Sequence, residues 1–210
     1  MKKSFKNKDI TYTDTYRGYQ INRSHKNDQG TYISSLDKII DITEEYISNH
    51  NKIIVDREDV RIPQDSHIEN TQQCMTRIIE SFKREMERKT KNSPHNLDLS
   101  IIRTTEQSSD AIHSHAHLYI LANGNVVENR YRFSESLKRH AKRIFDTDKD
   151  GIVHRCESVG DKGIMIRRDS PDKDEQLAKA IYAGSYLAKV KGKEDTPKGT
   201  NRLTISRTKK

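Results

Sequence analysis

The order of elements along this chain predicts an α+β fold, an antiparallel sheet covered on one face by helices. Three observations carry that expectation. Helical stripes alternate with short β-branched runs. The strand-like runs at 97–103 and 115–122 follow one another with no helix between them, as a hairpin pair does. Finally, Ile, Leu, Val and Phe make up only 43 of 210 residues, and 33% of the chain is charged, which suits one ordinary domain with a thin core rather than a large interior.

Taken in order, residues 1–34 are polar, rich in Lys, Asn, Thr and Tyr, and without a sustained period, so they read as a loosely ordered arm contributing no core residue. A single domain is expected over 35–207. Its first helix carries Leu36, Ile39, Ile40, Thr43 and Ile47 on one stripe. A β-branched stretch follows from Lys52 to Ile62 and is closed by Pro63. Asn70 or Thr71 can cap the clearest helix, whose face is Met75, Ile78, Ile79, Phe82 and Met86. Leu97, Leu99 and Ile101 alternate with Asp98, Ser100 and Ile102 as in a half-buried strand, and a second strand runs from His115 to Ala122. Asn123-Gly124 suits a tight hairpin turn, with Val126-Val127 starting a return strand. Phe133, Leu137, Ala141 and Ile144 mark a third helix, two short β-like pieces follow within 151–168, and a last helix spans roughly 172–190.

Several function classes drop out on composition and motif. No run approaches the roughly 18 apolar residues a membrane-spanning helix needs, so no membrane partner and a cytoplasmic location are expected. Cys74 and Cys156 stand far apart with no CxxC pair, which gives neither a structural zinc site nor a disulfide any support. Both common glycine-rich phosphate cradles are missing. The chain's net charge of +8 is uneven. Residues 189–210 hold eight Lys or Arg against two acids, so Lys191, Lys193, Lys198, Arg202 and Arg207 in a basic tail over 191–210 are expected to meet phosphates.

The most informative segment is the strand containing His115-Ala116-His117. Side chains of a strand alternate between faces, so the two imidazoles share one face while Ala116, Leu118, Ile120 and Ala122 make the other wholly apolar. Two imidazoles two residues apart on a rigid strand suit a divalent cation, and Glu106 on the neighbouring strand is the candidate carboxylate, with Asp110 and His113 as competitors. In the last helix Leu177, Ala180, Ile181, Gly184 and Ala188 make one packing stripe, and Tyr182, Tyr186 and Lys189 fall on a separate face. Two phenols and a lysine spaced by single turns can present nucleophilic oxygens and a cation to a phosphodiester.

Together the His-x-His strand and the later Tyr186-Leu187-Ala188-Lys189 resemble the HUH endonucleases of rolling-circle replication and plasmid mobilisation. More narrowly, the chain is similar over about residues 50–207 to the YagK/YfjJ-like proteins of filamentous phages and integrated elements. There the histidine pair precedes an apolar run ending in Asn, matched by Leu118 to Asn123, and Tyr-Leu-Ala-Lys precedes a basic, glycine-containing tail, matched by Gly199 and Ser206-Arg207. The resemblance implies a Rep-like, ferredoxin-like sheet that nicks and rejoins single-stranded or hairpin DNA. It implies Tyr186 as nucleophile, Tyr182 as second acceptor, Lys189 as a phosphate-stabilising cation, a divalent metal, Mg²⁺ or Mn²⁺, on His115 and His117, and a helicase as a further partner.

Other readings stand beside it. A catalytically inactive DNA-binding regulator would keep the basic tail and need neither metal nor tyrosine. His113-Ser114-His115-Ala116-His117 approaches the histidine-triad pattern of nucleotide hydrolases, broken at Ser114. Asp146, Asp148, Asp150, Gly151 and Glu157 fit a calcium-loop pattern, although the residues after it do not read as an exiting helix.

Overall fold

A computed structural model describes residues 9–23, 29–66, 68–107, 113–191, 193 and 203–207. Four short strands come first: β1 (Ile10–Thr11), β2 (Thr15–Tyr16), β3 (Tyr19–Gln20) and β4 (Thr31–Tyr32). Then come α1 (Ile33–Asn49), β5 (Lys52–Arg61), α2 (Thr71–Thr90), β6 (Ser100–Glu106), β7 (His115–Asn123) and α3 (Tyr131–Phe145). The chain continues through β8 (Val153–Arg155), β9 (Ile164–Arg167), α4 (Lys173–Ser185) and β10 (Thr204–Arg207). The fold is α+β: β10, β6, β7, β5 and β8 lie side by side in that order, β9 also pairs with β5, and every pairing is antiparallel.

Helices cover both faces of this sheet, which corrects the one-faced layer expected above. Ile54, Val60, Ile101, Leu118 and Ile120 pack on α2 and α3 through Met75, Ile78, Phe82, Phe133 and Leu137. Ile53, Val55, Ile102, Tyr119 and Leu121 pack on α1 and α4 through Leu36, Ile39, Ile40, Ala180 and Ile181. The α2 stripe and its Asn70 cap, which accepts from the Gln73 amide at 2.9 Å, are as the periodicity predicts. Gly184 is where α4 comes closest to its neighbours: a Cβ there would stand 2.9 Å from both Ile39 Cγ2 and the Tyr119 ring.

Three further expectations change. Asn123-Gly124 begins a turn in which the amides of Val126 and Val127 donate to the Asn123 carbonyl, so the chain passes into α3 instead of a return strand. The last helix stops being α-helical at Ser185, and Tyr186–Ala188 form a tighter 3₁₀ turn. The arm supplies core residues, since Ile21, Thr31 and Tyr32 are buried. It also clasps the end of α4: the Asn22 amide donates to Ser185 Oγ at 2.8 Å, Thr31 bridges Lys189, and the Val190 amide donates to the Gly30 carbonyl at 3.1 Å.

A buried ionic knot ties β5 to α3. Arg130 Nε lies 2.8 Å from Asp56 Oδ1 and its Nη2 lies 3.3 Å from Glu58 Oε1, while its Nη1 donates to the carbonyls of Cys156 and Gly160. Burial, with Glu58 alongside, pushes the Asp56 carboxyl well above its ordinary range despite the arginine.

Candidate metal and tyrosine site

Strand register assembles the site row by row on the face that α1 and α4 cover. Glu106 of β6 stands opposite His115 of β7, and the next row of the same parity sets Thr104, His117 and Asp59 side by side across β6, β7 and β5. The row after that carries Ile102, Tyr119 and Arg57. Because cross-strand neighbours lie about 5 Å apart at Cβ, this register alone brings Glu106 to the histidines, as the expected hairpin requires. The ligand atoms of Glu106, His115 and His117 all lie within 4.8 Å of one another, the one such group of His, Cys, Asp or Glu among the described residues.

His117 is only 2% exposed. Its Nδ1 lies 2.5 Å from Asp59 Oδ1, and a carboxylate only accepts, so Nδ1 carries the hydrogen and Nε2 is left to face the cluster. Nε2 stands 3.1 Å from Glu106 Oε2 but out of line for a hydrogen bond, leaving a buried nitrogen with no hydrogen-bond partner. A carboxylate behind an imidazole is the usual support of a metal-ligating histidine. His115 Nε2 is 3.8 Å from the same Glu106 oxygen, and burial together with His117 lowers the His115 pKa, keeping its lone pair available. Burial opposes ionisation of Glu106, but in the metal-free cluster His117 with both ring nitrogens protonated, together with Lys193 and Lys189, outweighs it and brings its pKa down to about 2. The donor set therefore fits a divalent cation: two imidazoles and one carboxylate, with an orphaned nitrogen aimed into the cluster.

The 3₁₀ turn after α4 places Tyr186 against this cluster. Its ring meets His117 edge-on with centroids 5.0 Å apart. The Arg57 guanidinium lies 3.9 Å from the ring centroid and Lys189 Nζ 3.6 Å from it, so two cations hold the phenol. Lys189 leaves the helix in extended conformation and reaches Glu106 Oε2 at 3.1 Å. Arg57 and Asp59 escaped the sequence reading. Their two-residue spacing on β5 is a signal that they share a face, but only the pairing of β5 with β7 shows whose face it is.

Other expected site residues are placed elsewhere. Tyr182 is 42% exposed and lines a groove with Tyr19, Gln20 and Lys179, one turn before Tyr186 and away from the histidines. His113 turns to the Ser66 carbonyl at 2.9 Å, outside the cluster. Lys193 is buried 3.5 Å from Glu106 Oε1, and Arg207 pairs with Glu45 through both terminal nitrogens at 2.9 and 2.7 Å, so neither is a free phosphate contact. Lys191 is exposed, whereas Lys198, Arg202 and Asp110 lie outside the described residues. The acids of the calcium-like loop do not converge. Asp150 pairs with Lys138 and Lys142, Asp146 is the left-handed cap of α3, the Asp148 carbonyl accepts from Lys142, and Glu157 opens a three-residue 3₁₀ turn instead of an exiting helix.

Fold and site together define an α+β protein with a two-histidine, one-carboxylate cluster on a sheet face and a tyrosine packed against it. The chain belongs to the YagK/YfjJ C-terminal domain family, whose model matches residues 13–202. The match takes in much of the N-terminal arm as well as the region from about residue 50 on which the motifs stand. No curated protein and no solved structure matches the chain. No helix among the described residues is long and apolar enough to cross a membrane.

Proposed function

We propose that this protein nicks and rejoins single-stranded DNA through a tyrosine, as HUH enzymes do, with a hairpin-extruded strand as the other form of substrate. The setting would be rolling-circle replication or mobilisation of a phage or integrated element. The observation that carries the reading is the packing of Tyr186 directly on His117, whose free Nε2 faces Glu106 and His115.

The residues divide the chemistry among themselves. Glu106, His115 and His117 would hold Mg²⁺ or Mn²⁺, with the Glu106 carboxylate as the oxygen ligand that both ions favour. When bound there, the cation would draw charge from the scissile phosphate. Tyr186 Oη attacks phosphorus and loses its proton to solvent while the bond to the 3′ oxygen breaks and that oxygen takes a proton from solvent, leaving a 5′-phosphotyrosine and a 3′-hydroxyl. An ordinary phenol has a pKa near 10 and is a weak nucleophile at neutral pH. Arg57 and Lys189, one guanidinium and one ammonium against the ring, favour the developing phenolate and then the extra charge on phosphorus. Asp59 holds the His117 ring and tautomer. Tyr182, out on the exposed side of α4, fits a strand-contacting role better than that of a second nucleophile.

Incubation with end-labelled single-stranded DNA from the surrounding element and Mn²⁺ tests this. A denaturation-resistant protein–DNA adduct is expected with the native protein and with Tyr182→Phe, and none with Tyr186→Phe. DNA binding without an adduct under any of these conditions would favour a regulator that does not cut.

A further inference from the structure

Away from the tyrosine site, the layer formed by α2 and α3 has an unusual charge. These two helices carry ten Lys or Arg against four Glu, a local +6 that equals the excess of residues 189–210, while the remainder of the chain is net acidic. The excess is concentrated in a groove between them. Its one acid, Glu85, is buried and already engaged: Arg139 and Lys89 pair with it, Ser136 Oγ donates to it at 2.8 Å, and His140 Nε2 stands 2.8 Å away. Arg84, Arg88 and Arg143 line the same groove and are exposed. Among the described residues none of the three has a carboxylate partner. Arg84 Nη2 and Arg143 Nη2 each donate to one hydroxyl, Ser81 Oγ, at 3.3 Å. Two guanidinium groups thus meet at a single neutral oxygen, an arrangement that repels unless an anion joins it.

We infer that this groove binds the sugar–phosphate backbone of duplex DNA. Arginine forks match phosphate oxygens in pairs. Proteins that hold single strands add aromatic platforms for the bases, and no Tyr, Phe or Trp lines this groove. The helices are also rigid: 20 residues of α2 give a surface about 30 Å long, suited to phosphates whose spacing a double helix fixes. The groove lies on the opposite face of the sheet from His117 and Tyr186, because α2 and α3 cover the even-numbered side chains of β7 and α4 covers the odd-numbered ones. A duplex held here would leave the tyrosine face open to an unpaired strand.

The test needs no cleavage, so it is separable from the nicking chemistry. Binding of a fluorescent 20-base-pair duplex and of a single strand of equal length is measured by anisotropy in EDTA at several salt concentrations. Each phosphate contact on B-DNA contributes about 0.9 to the slope of log affinity against log salt. Arg84→Ala/Arg143→Ala should therefore lower the duplex slope by about 1.8 and leave the single-strand slope unchanged. Arg84→Lys/Arg143→Lys should keep the slope while weakening binding. Because the changed residues are exposed, circular dichroism should show native folding in both variants. An unchanged duplex slope, or an equal loss on the single strand, would overturn the inference.

Discussion

Replacing Asp59 with Asn probes the support behind the proposed metal-binding cluster without removing any of its three candidate ligands. Asp59 is 7% exposed, faces His117 across the β5–β7 ladder, and accepts from Nδ1 at 2.5 Å. Asparagine keeps the shape but removes the charge behind the ring, and with its NH₂ turned to Nδ1 that nitrogen becomes the acceptor and the hydrogen moves to Nε2, the atom aimed at Glu106. In that orientation the cluster presents an N–H where it needs a lone pair, and in the other the ring keeps its lone pair but is a weaker base. Loss of such a supporting carboxylate costs roughly 10- to 100-fold in metal affinity, which is about 1.4–2.7 kcal/mol. Titration calorimetry with Mn²⁺ on native and Asp59→Asn protein measures it, and Asp59→Glu, which restores the charge, should recover part of the loss. An Asp59→Asn protein that bound Mn²⁺ as tightly as the native one would refute the assignment of Nε2 as a ligand.

Gly184→Ala should destabilise by roughly 1–3 kcal/mol in urea melts through overpacking against Ile39 and Tyr119, although alanine is the better helix former. A stabilised variant would mean that α4 sits further from the sheet. Arg130→Ala leaves Asp56 and Glu58 buried without their cation and should cost about 3–5 kcal/mol by the same measurement, whereas Arg155→Ala on the surface should cost little. Glu106, depressed to about 2 in the fold, contributes stability that is complete above its unfolded value near 4.5 and is lost as pH falls toward 2. Glu106→Gln should flatten the pH dependence of unfolding over that window, and an unaltered profile would argue against the ion contacts around it.

The features readable in the sequence are those set by local periodicity. The α2 stripe, the β6–β7 pair and the shared face of His115 and His117 follow from spacing alone, and Glu106 follows once the hairpin is drawn. What escaped depends on partners distant in the chain. Lys52–Arg61 looks apolar for half its length and charged for the rest, and nothing local shows that Asp56, Glu58 and Asp59 are buried; Arg130 and His117 make that tolerable. The second helical layer was hinted at by Ile101-Ile102 and by Leu118 to Leu121, where both strand parities are apolar, the mark of a sheet covered on both sides. The last turn of the final helix looks α-helical by spacing, and its tightening into a 3₁₀ turn comes with contacts from Gly30 and Thr31, about 155 residues earlier. Tail lysines look alike in sequence, but Lys193 is drawn inward by Glu106.

The central claim is that Tyr186 forms a covalent bond to DNA beside the histidine cluster. Mass spectrometry of tryptic peptides, after reaction with single-stranded DNA in Mn²⁺ and nuclease trimming, tests it most directly. The account predicts a nucleotide mass on Tyr186, lost on adding EDTA or on changing His117 to Ala. A modification carried by Tyr182 instead, or one on Tyr186 that forms equally well in EDTA, would contradict it.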